Sequence, residues 1–239
     1  MRTTTGFFGE SVLSRREIPA KLAVMCDKPG AGDRDTGHSS EPGAGAERAP
    51  EGPEAEIVEL SAACRKYVGS ALGIELDFSP ETLPLLDHYV KGARADVAGR
   101  PQLLPLMARV VGAYFGEVAR RHLGLFWYLP SADAHTWQVC GRSAFLSISP
   151  IGVAYDALTA SGDHSGPSSQ LRLSPEERDL VQRRLESLPE VSDEEYYLLS
   201  TRLEILEIAA DALRAQMQAA GCGDVEFDLR DYLPDPWAD

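Results

Sequence analysis

The sequence predicts an α+β fold that combines N-terminal helices, a small antiparallel β-meander and a C-terminal helical hairpin. The first observation is a long apolar helix pattern from Pro101 to Gly124 that runs directly into the alternating segment 125–129. The second is a pair of capping boxes, 174–177 and 192–195, each of which opens a helix. With 239 residues, 44% hydrophobic and 25% charged, the chain has an ordinary globular composition.

Residues 1–53 are predicted to be a disordered N-terminal segment that precedes a single domain over 54–221. From Asp27 to Pro53 the chain has six glycines, four prolines and no aliphatic side chain larger than alanine. Such a segment buries too little apolar area to offset the entropy lost on ordering. The residues before it lack the apolar core of a signal peptide. Translation from Met25 instead of Met1 is an open alternative.

Three helices and one short extended segment make up the first half of the predicted domain. Apolar residues at helical spacing, proline openings and glycine stops set their bounds. The helices are predicted at 54–72, 79–97 and 101–124, with the extended segment at 74–78. The third helix contains Gly112 and Gly116, each of which costs about 1 kcal/mol relative to alanine. Close approach of another backbone is the expected compensation.

The second half of the domain is predicted to begin with strands and to end with helices. Alternation places an antiparallel meander at 125–129, 136–140 and 144–149. Residues 150–158 fit either a strand or a short helix, and 159–170 fit a polar loop. The second capping box is expected to open the long final helix, from 192 to about Ala220, and 225–229 alternates like an edge strand.

Charge and cysteine spacing exclude several classes of function. The net charge of −14 argues against a nucleic-acid partner, because nucleic-acid binding depends on clustered Lys and Arg. The last 48 residues hold twelve acidic and three basic side chains, which favours solubility or a basic partner. No apolar run approaches the roughly 18 residues of a membrane span. The four cysteines are too far apart for a zinc or redox motif, so we expect reduced thiols, a cytoplasmic location, no metal and no cofactor.

Glu117, Arg120, Arg121 and His122 form a candidate polar site near the end of the third helix. A buried glutamate beside a histidine can act as a general acid or base. In the alternative interpretation, Glu117 and Arg121 form an i,i+4 ion pair and the basic residues stabilise the helix C-terminus. We favour the structural interpretation and predict no catalytic residue.

Four aromatic residues are candidates for binding a protein partner: Trp127, Trp137, Tyr232 and Trp237. The first two lie on facing predicted strands, where they either line a groove or cover the core. The other two lie in an acidic tail, 222–239, that either packs on its own domain or docks into a partner.

Leucines at heptad spacing in the final helix offer a further surface. They are Leu199, Leu203, Leu206 and Leu213. Packing within the chain satisfies this pattern, as does a homodimer, and we favour the first. The sequence Asp163-His164-Ser165 holds the residue types of a catalytic triad, but neighbours in sequence do not converge as a triad does, so a loop is expected.

The segment Gly112-Ala-Tyr-Phe-Gly-Glu117, with Trp127 following, resembles a family of uncharacterised bacterial domains. In that family a Gly-Ala-Tyr-x-Gly-Glu helix leads into a Trp-containing strand, and the likeness covers about residues 54–158. The resemblance implies a cytoplasmic bacterial α+β domain and brings no established activity with it.

These observations favour a non-catalytic protein-interaction or accessory module of the bacterial cytoplasm. The alternative is a small-ligand binder or enzyme with a pocket around Glu117, Arg120 and His122. A pocket lined by Glu117, with His88 or His122 in hydrogen-bond contact, would favour that alternative.

Overall fold

The computed structural model describes residues 52–233. Within this range the chain forms eight α-helices and one three-stranded antiparallel sheet, which confirms the α+β class. The helices are α1 Pro53–Leu72, α2 Leu83–Gly99, α3 Leu104–Leu123, α4 Pro150–Thr159, α5 Pro175–Glu186, α6 Asp193–Tyr196, α7 Leu199–Ala219 and α8 Leu229–Tyr232. The strands are β1 Phe126–Tyr128, β2 Gln138–Cys140 and β3 Ser147–Ile148.

Glycines end two of the first three helices where the sequence predicts. Gly73 has φ 69° and its N–H donates to the carbonyl of Gly69, and Gly124 has φ 68° at the end of α3. Both adopt the left-handed conformation that glycine reaches at little cost. Proline in the first turn of each helix removes an N–H that would have no partner inside the helix.

Helix α3 is the centre of the core and packs most extensively against α4 and α1. At Gly112 an added Cβ would lie 2.8 Å from the carbonyl oxygen of Pro150 and 2.9 Å from the Cα of Ile151. The predicted close approach of another backbone is therefore confirmed there. At Gly116 an added Cβ would overlap the ring of Trp127, so the neighbour at this position is a side chain.

The three strands form the predicted meander in the order β1-β2-β3. Trp127 pairs with Val139, and Val139 pairs with Ile148. The strands are shorter than the alternating patterns that predict them. Residues 150–158, which the sequence leaves open, form the buried helix α4, where the Ser149 side chain accepts a hydrogen bond from the Gly152 N–H.

The extended segment predicted over 74–78 pairs with no strand of the described sheet and ends in an unusual conformation at Phe78. Arg65 donates to the Leu76 carbonyl at 2.6 Å, and Phe78 adopts φ 66°, a left-handed conformation that bulky residues rarely take. The Phe78 ring stacks on Tyr114, and its N–H donates to the Tyr114 hydroxyl. These tertiary contacts hold a backbone conformation that alternation cannot predict.

The C-terminal helices differ from the prediction in one boundary. Both capping boxes are present, but the second opens only the four-residue α6. The long α7 begins instead at Leu199, where the Asp87 carboxylate of α2 accepts the N–H groups of Leu199 and Ser200 at 2.7 and 3.2 Å. Helix α7 packs against α5.

The edge strand predicted over 225–229 is also wrong. The Phe227 N–H donates to the Arg142 carbonyl at 2.7 Å, but this segment forms no strand and leads into α8. The disorder predicted for 1–53, apart from residues 52 and 53, lies outside the described residues, as do Met25 and Trp237.

The four leucines of the heptad seam lie in the core of the chain itself. Cys64 and Cys140 are free and buried, whereas Cys222 is in a disulfide, so the expectation of reduced thiols is wrong for Cys222. Among the described residues, no helix has both the length and the apolar character needed to cross a bilayer.

Candidate functional site

Glu117 is the centre of a hydrogen-bonded ion-pair cluster. Its side chain is 12% exposed and accepts from Arg120 Nε and Nη2 at 2.8 and 3.0 Å. The Trp127 indole N–H donates to it at 2.8 Å, and Arg121 Nε donates at 3.3 Å. The structure therefore brings three of the four residues of the candidate polar site together and adds Trp127 to them.

The electrostatics of this cluster favour the ionised form of Glu117. Burial raises the pKa of Glu117, but hydrogen bonds from Arg120 and Trp127 and the charges of Arg120 and Arg121 outweigh it, so the pKa lies below its usual range. A general acid or base works best with a pKa near the operating pH. The cluster is therefore suited to fixing β1 on α3.

His122 lies apart from this cluster. Its Nε2 is 3.4 Å from Glu207 Oε1 on α7. The hydrogen-bond partners of Glu117 are arginines and a tryptophan, and His88 and His122 are not among them.

The predicted partner-binding aromatic residues that the structure describes make hydrogen bonds and packing contacts within the domain. Trp137 is fully buried, and its indole N–H donates to the Ser131 carbonyl at 3.0 Å. The Tyr232 hydroxyl donates to the Gly141 carbonyl at 2.8 Å, and its ring stacks on Phe145. Burial raises the pKa of Tyr232.

Asp156, His164 and Ser169 form a buried polar network that the sequence does not reveal. His164 Nε2 lies 2.7 Å from Asp156 Oδ1, and Ser169 donates to the other carboxylate oxygen. His164 Nδ1 accepts the Gly166 N–H at 3.1 Å, so both ring nitrogens have partners. No ring nitrogen is left to take a proton from a substrate, and the network serves to fasten the 160–170 loop to α4.

A concave apolar surface lies elsewhere, where α1, α2 and α3 meet. It consists of two cavities of about 400 and 240 Å³ that share Tyr89 and Met107, and we call their union the helical groove. Its lining residues are Cys64, Tyr67, Leu72, His88, Tyr89, Gly92, Ala93, Asp96, Arg100, Leu103, Leu106, Met107, Val110 and Val111.

Two of the residues that line the groove are large apolar side chains that are mostly exposed. Tyr67 and Leu106 are 54% and 57% exposed, and they stand over a floor that includes the buried Val110 and Val111. Exposed large apolar side chains grouped around a concavity are typical of an interaction site, whereas isolated ones are ordinary surface. The other cavity is also lined mainly by apolar residues, but it includes the ion pair between Asp96 and Arg100, whose charged atoms are 2.8 Å apart.

The cysteine that lines the groove is not activated as a nucleophile. The thiol of Cys64, in its wall, is buried, and burial raises its pKa to about 12, so the thiolate that attacks a substrate is not formed near neutral pH. Among residues 52–233, no three His, Cys, Asp or Glu side chains are grouped so as to hold a metal ion.

Helical periodicity in the sequence places Met107 and Val110 on the apolar stripe of α3 and does not single out Tyr67 or Leu106. The sequence signal for these two is that they are large apolar residues outside the strongest periodic positions. Comparison of the chain with protein-family models, with curated proteins and with solved structures finds no match. The resemblance to bacterial domains therefore stays a prediction that rests on the segment 112–127.

Proposed function

We propose that this protein is a non-catalytic protein-interaction module whose binding surface is the helical groove. The observation that carries the proposal is the pair Tyr67 and Leu106, two large and mostly exposed apolar side chains that line one cavity together with the buried Val110 and Val111. An apolar helix or an extended peptide with apolar anchors fits such a surface, since grooves between helices bind partners in this way.

The cellular setting belongs to the same proposal. We propose a cytoplasmic accessory protein of a bacterium, on the strength of the motif at 112–127. The free thiols of Cys64 and Cys140 support a reducing compartment, and the disulfide at Cys222 counts against one.

The alternative of an enzyme or small-ligand site around Glu117 has less support. Both carboxylate oxygens of Glu117 already accept hydrogen bonds, His122 pairs with Glu207, and the helical groove is lined by other residues. A ligand at Glu117 would have to displace Arg120 and Trp127.

Selection from a displayed library of random peptides against the full chain tests the proposal. We expect enriched peptides to contain apolar anchors and to bind the Leu106→Asp variant at least ten-fold more weakly, because the new charge would be buried in the complex. The matched control is Val191→Asp, an exposed apolar residue (51%) outside the groove lining.

The control variant should bind the selected peptides like the wild type. The proposal fails if no peptide is enriched, or if the enriched peptides bind the Leu106→Asp variant as tightly as the wild type. Circular dichroism of both variants establishes that the fold is intact, since Leu106 is already mostly exposed and its replacement removes little core packing.

A further inference from the structure

We propose that His164 is a proton-operated latch. It holds the 160–170 loop on α4 while its imidazole is neutral, and it releases the loop around Gly166 when the imidazole gains a proton. The residues of the latch are not among those that line the helical groove, so its test is independent of the proposed function.

Hydrogen bonds on both sides of the His164 ring assign its protonation state in the closed form. A backbone N–H can only donate, so Nδ1, which accepts from the Gly166 N–H at 3.1 Å, carries no proton. Nε2 therefore carries the one ring proton and donates a hydrogen bond to Asp156 Oδ1 at 2.7 Å. The other carboxylate oxygen of Asp156 accepts from the Ser169 hydroxyl. The closed loop thus requires a neutral imidazole.

A second proton can enter the ring only at Nδ1, where it opposes the Gly166 N–H. Two hydrogens would then lie between nitrogen atoms that are 3.1 Å apart, and a bond between donor and acceptor would become a contact between two donors. The His164 side chain is 6% exposed, so little water reaches this contact while the loop is closed. A buried N–H without an acceptor is costly, and the backbone at Gly166 must therefore move away from the ring.

The packing of the loop fixes the direction of this movement. A Cβ added at Gly166 would lie 2.5 Å from Tyr155 Cγ, and one added at Gly152 would lie 2.6 Å from the Pro167 carbonyl oxygen. The loop backbone therefore rests directly on the Tyr155 ring and on the first turn of α4, and it cannot shift further toward the helix. Movement away from α4 uncovers Tyr155, which is 3% exposed in the closed form.

The charged and titratable groups around His164 determine which part of the loop is released. They are Asp156 and Tyr155 on α4, Asp163 in the loop, His135 on the far side of Tyr155, Arg202 on α7 and Tyr196 on α6.

Two of these groups hold the ends of the released part. An imidazolium forms a stronger hydrogen bond with the Asp156 carboxylate than a neutral ring does, so His164 stays on α4. The buried Arg202 donates to the Ser169 carbonyl and keeps that residue in place. Proton uptake therefore opens residues 165–168 and leaves both of their ends attached. Histidine is the side chain whose charge ordinarily changes between pH 5 and 8, so mild acid is the signal.

Hydrogen exchange of the full chain, followed by mass spectrometry at pH 7.5 and pH 5.5, tests the latch. Exchange times are corrected for the intrinsic rate at each pH. We expect the peptide that contains 165–168 to exchange about ten-fold faster at the lower pH, because the closed loop loses a buried hydrogen bond, while peptides from α4 keep their protection. A corrected rate that changes by less than about two-fold overturns the proposal.

Two variants assign the response to one histidine. His164→Gln keeps an amide donor for Asp156 but gains no charge, so the corrected exchange rate of 165–168 should be the same at both pH values. The matched control is His135→Gln, which replaces an exposed histidine whose ring lies 6.0 Å from that of Tyr155. It should keep the full pH response. A pH response that persists in His164→Gln, or disappears in His135→Gln, assigns the switch to another group and overturns the proposal.

Nuclear magnetic resonance of the wild-type ring provides a test that does not depend on the folding of any variant. Long-range correlation of ring hydrogens with ring nitrogens should place the proton of His164 on Nε2 alone at pH 7.5 and protons on both nitrogens at pH 5.5. A proton on Nδ1 at pH 7.5, or a ring that stays neutral at pH 5.5, overturns the proposal.

Discussion

Replacement of Gly112 by alanine tests whether α3 is held against α4 by direct backbone contact. The added Cβ would lie 2.8 Å from the Pro150 carbonyl oxygen and 2.9 Å from the Ile151 Cα. Favourable contacts between carbon atoms lie at about 3.5–4.0 Å. Two of the three crowded atoms belong to the backbone at the start of a buried helix, and the third is Cδ1 of Ile151. The Ile151 side chain can turn away, but the two backbone contacts are relieved only if α4 moves.

Two opposing effects set the magnitude. Alanine in a helix interior is favoured over glycine by about 1 kcal/mol. Overpacking of a dense core costs about 1–3 kcal/mol, and the upper end applies here because two of the crowded atoms are backbone atoms that cannot turn away. We therefore expect Gly112→Ala to lower the free energy of unfolding by about 1–2 kcal/mol.

The chain supplies a matched control at Gly92 in α2. An added Cβ there meets no heavy atom within 4 Å, so only the helix propensity remains. Gly92→Ala should raise the free energy of unfolding by about 1 kcal/mol. Urea denaturation at 25 °C measures both variants, and the expected gap of about 2–3 kcal/mol exceeds the error of the extrapolation when the slopes match. Equal stability of the two variants would refute the account of how α3 packs.

Two further predictions concern buried carboxylates. Asp87→Ala should lower the free energy of unfolding by about 2–3 kcal/mol, measured by urea denaturation. The substitution removes the cap of α7 and leaves the buried Leu199 N–H without an acceptor. A loss under about 0.5 kcal/mol would contradict this account. The pKa of Glu117 is lower in the folded state than in the unfolded state, where it is about 4.5. The ionised side chain therefore contributes its full share to the free energy of unfolding above about pH 4.5, and this share is lost as the pH falls through the pKa of the folded state. The stability gap between wild type and Glu117→Gln, followed in urea from pH 7 to pH 3, should therefore narrow; a constant gap would show that Glu117 is not ionised in the fold.

Local sequence signals predict the parts of the fold that local interactions determine. The ends of α1 and α3 follow from Gly73 and Gly124, because a left-handed cap depends on the residue that adopts it. The start of α5 follows from Ser174, whose side chain caps the same helix. The meander follows from alternation, although its strands are shorter than the pattern.

Interactions between distant segments explain the wrong boundaries. Helix α7 starts at Leu199 because Asp87, on α2, caps it, and no residue near 199 carries that information. The left-handed conformation of Phe78, at the end of the extended segment, is likewise absent from the local pattern, because it is held by a hydrogen bond to Tyr114 on α3. The sequence pattern does not predict the helical groove for the same reason, because the exposure of Leu106 is determined by how the helices pack against one another.

The motif that carries the family resemblance is explained by packing alone. Gly112 makes room for the backbone of α4, and the Tyr114 hydroxyl accepts the N–H of a residue in a strained conformation. Gly116 makes room for the Trp127 ring, and Glu117 accepts the indole N–H of that ring. Each of these groups is already used in packing or hydrogen bonding inside the domain. The motif therefore explains the fold, and a binding surface would consist of other residues. The helical groove that we propose as this surface includes Tyr67 and Leu106, which are mostly exposed apolar side chains of α1 and α3 outside the motif.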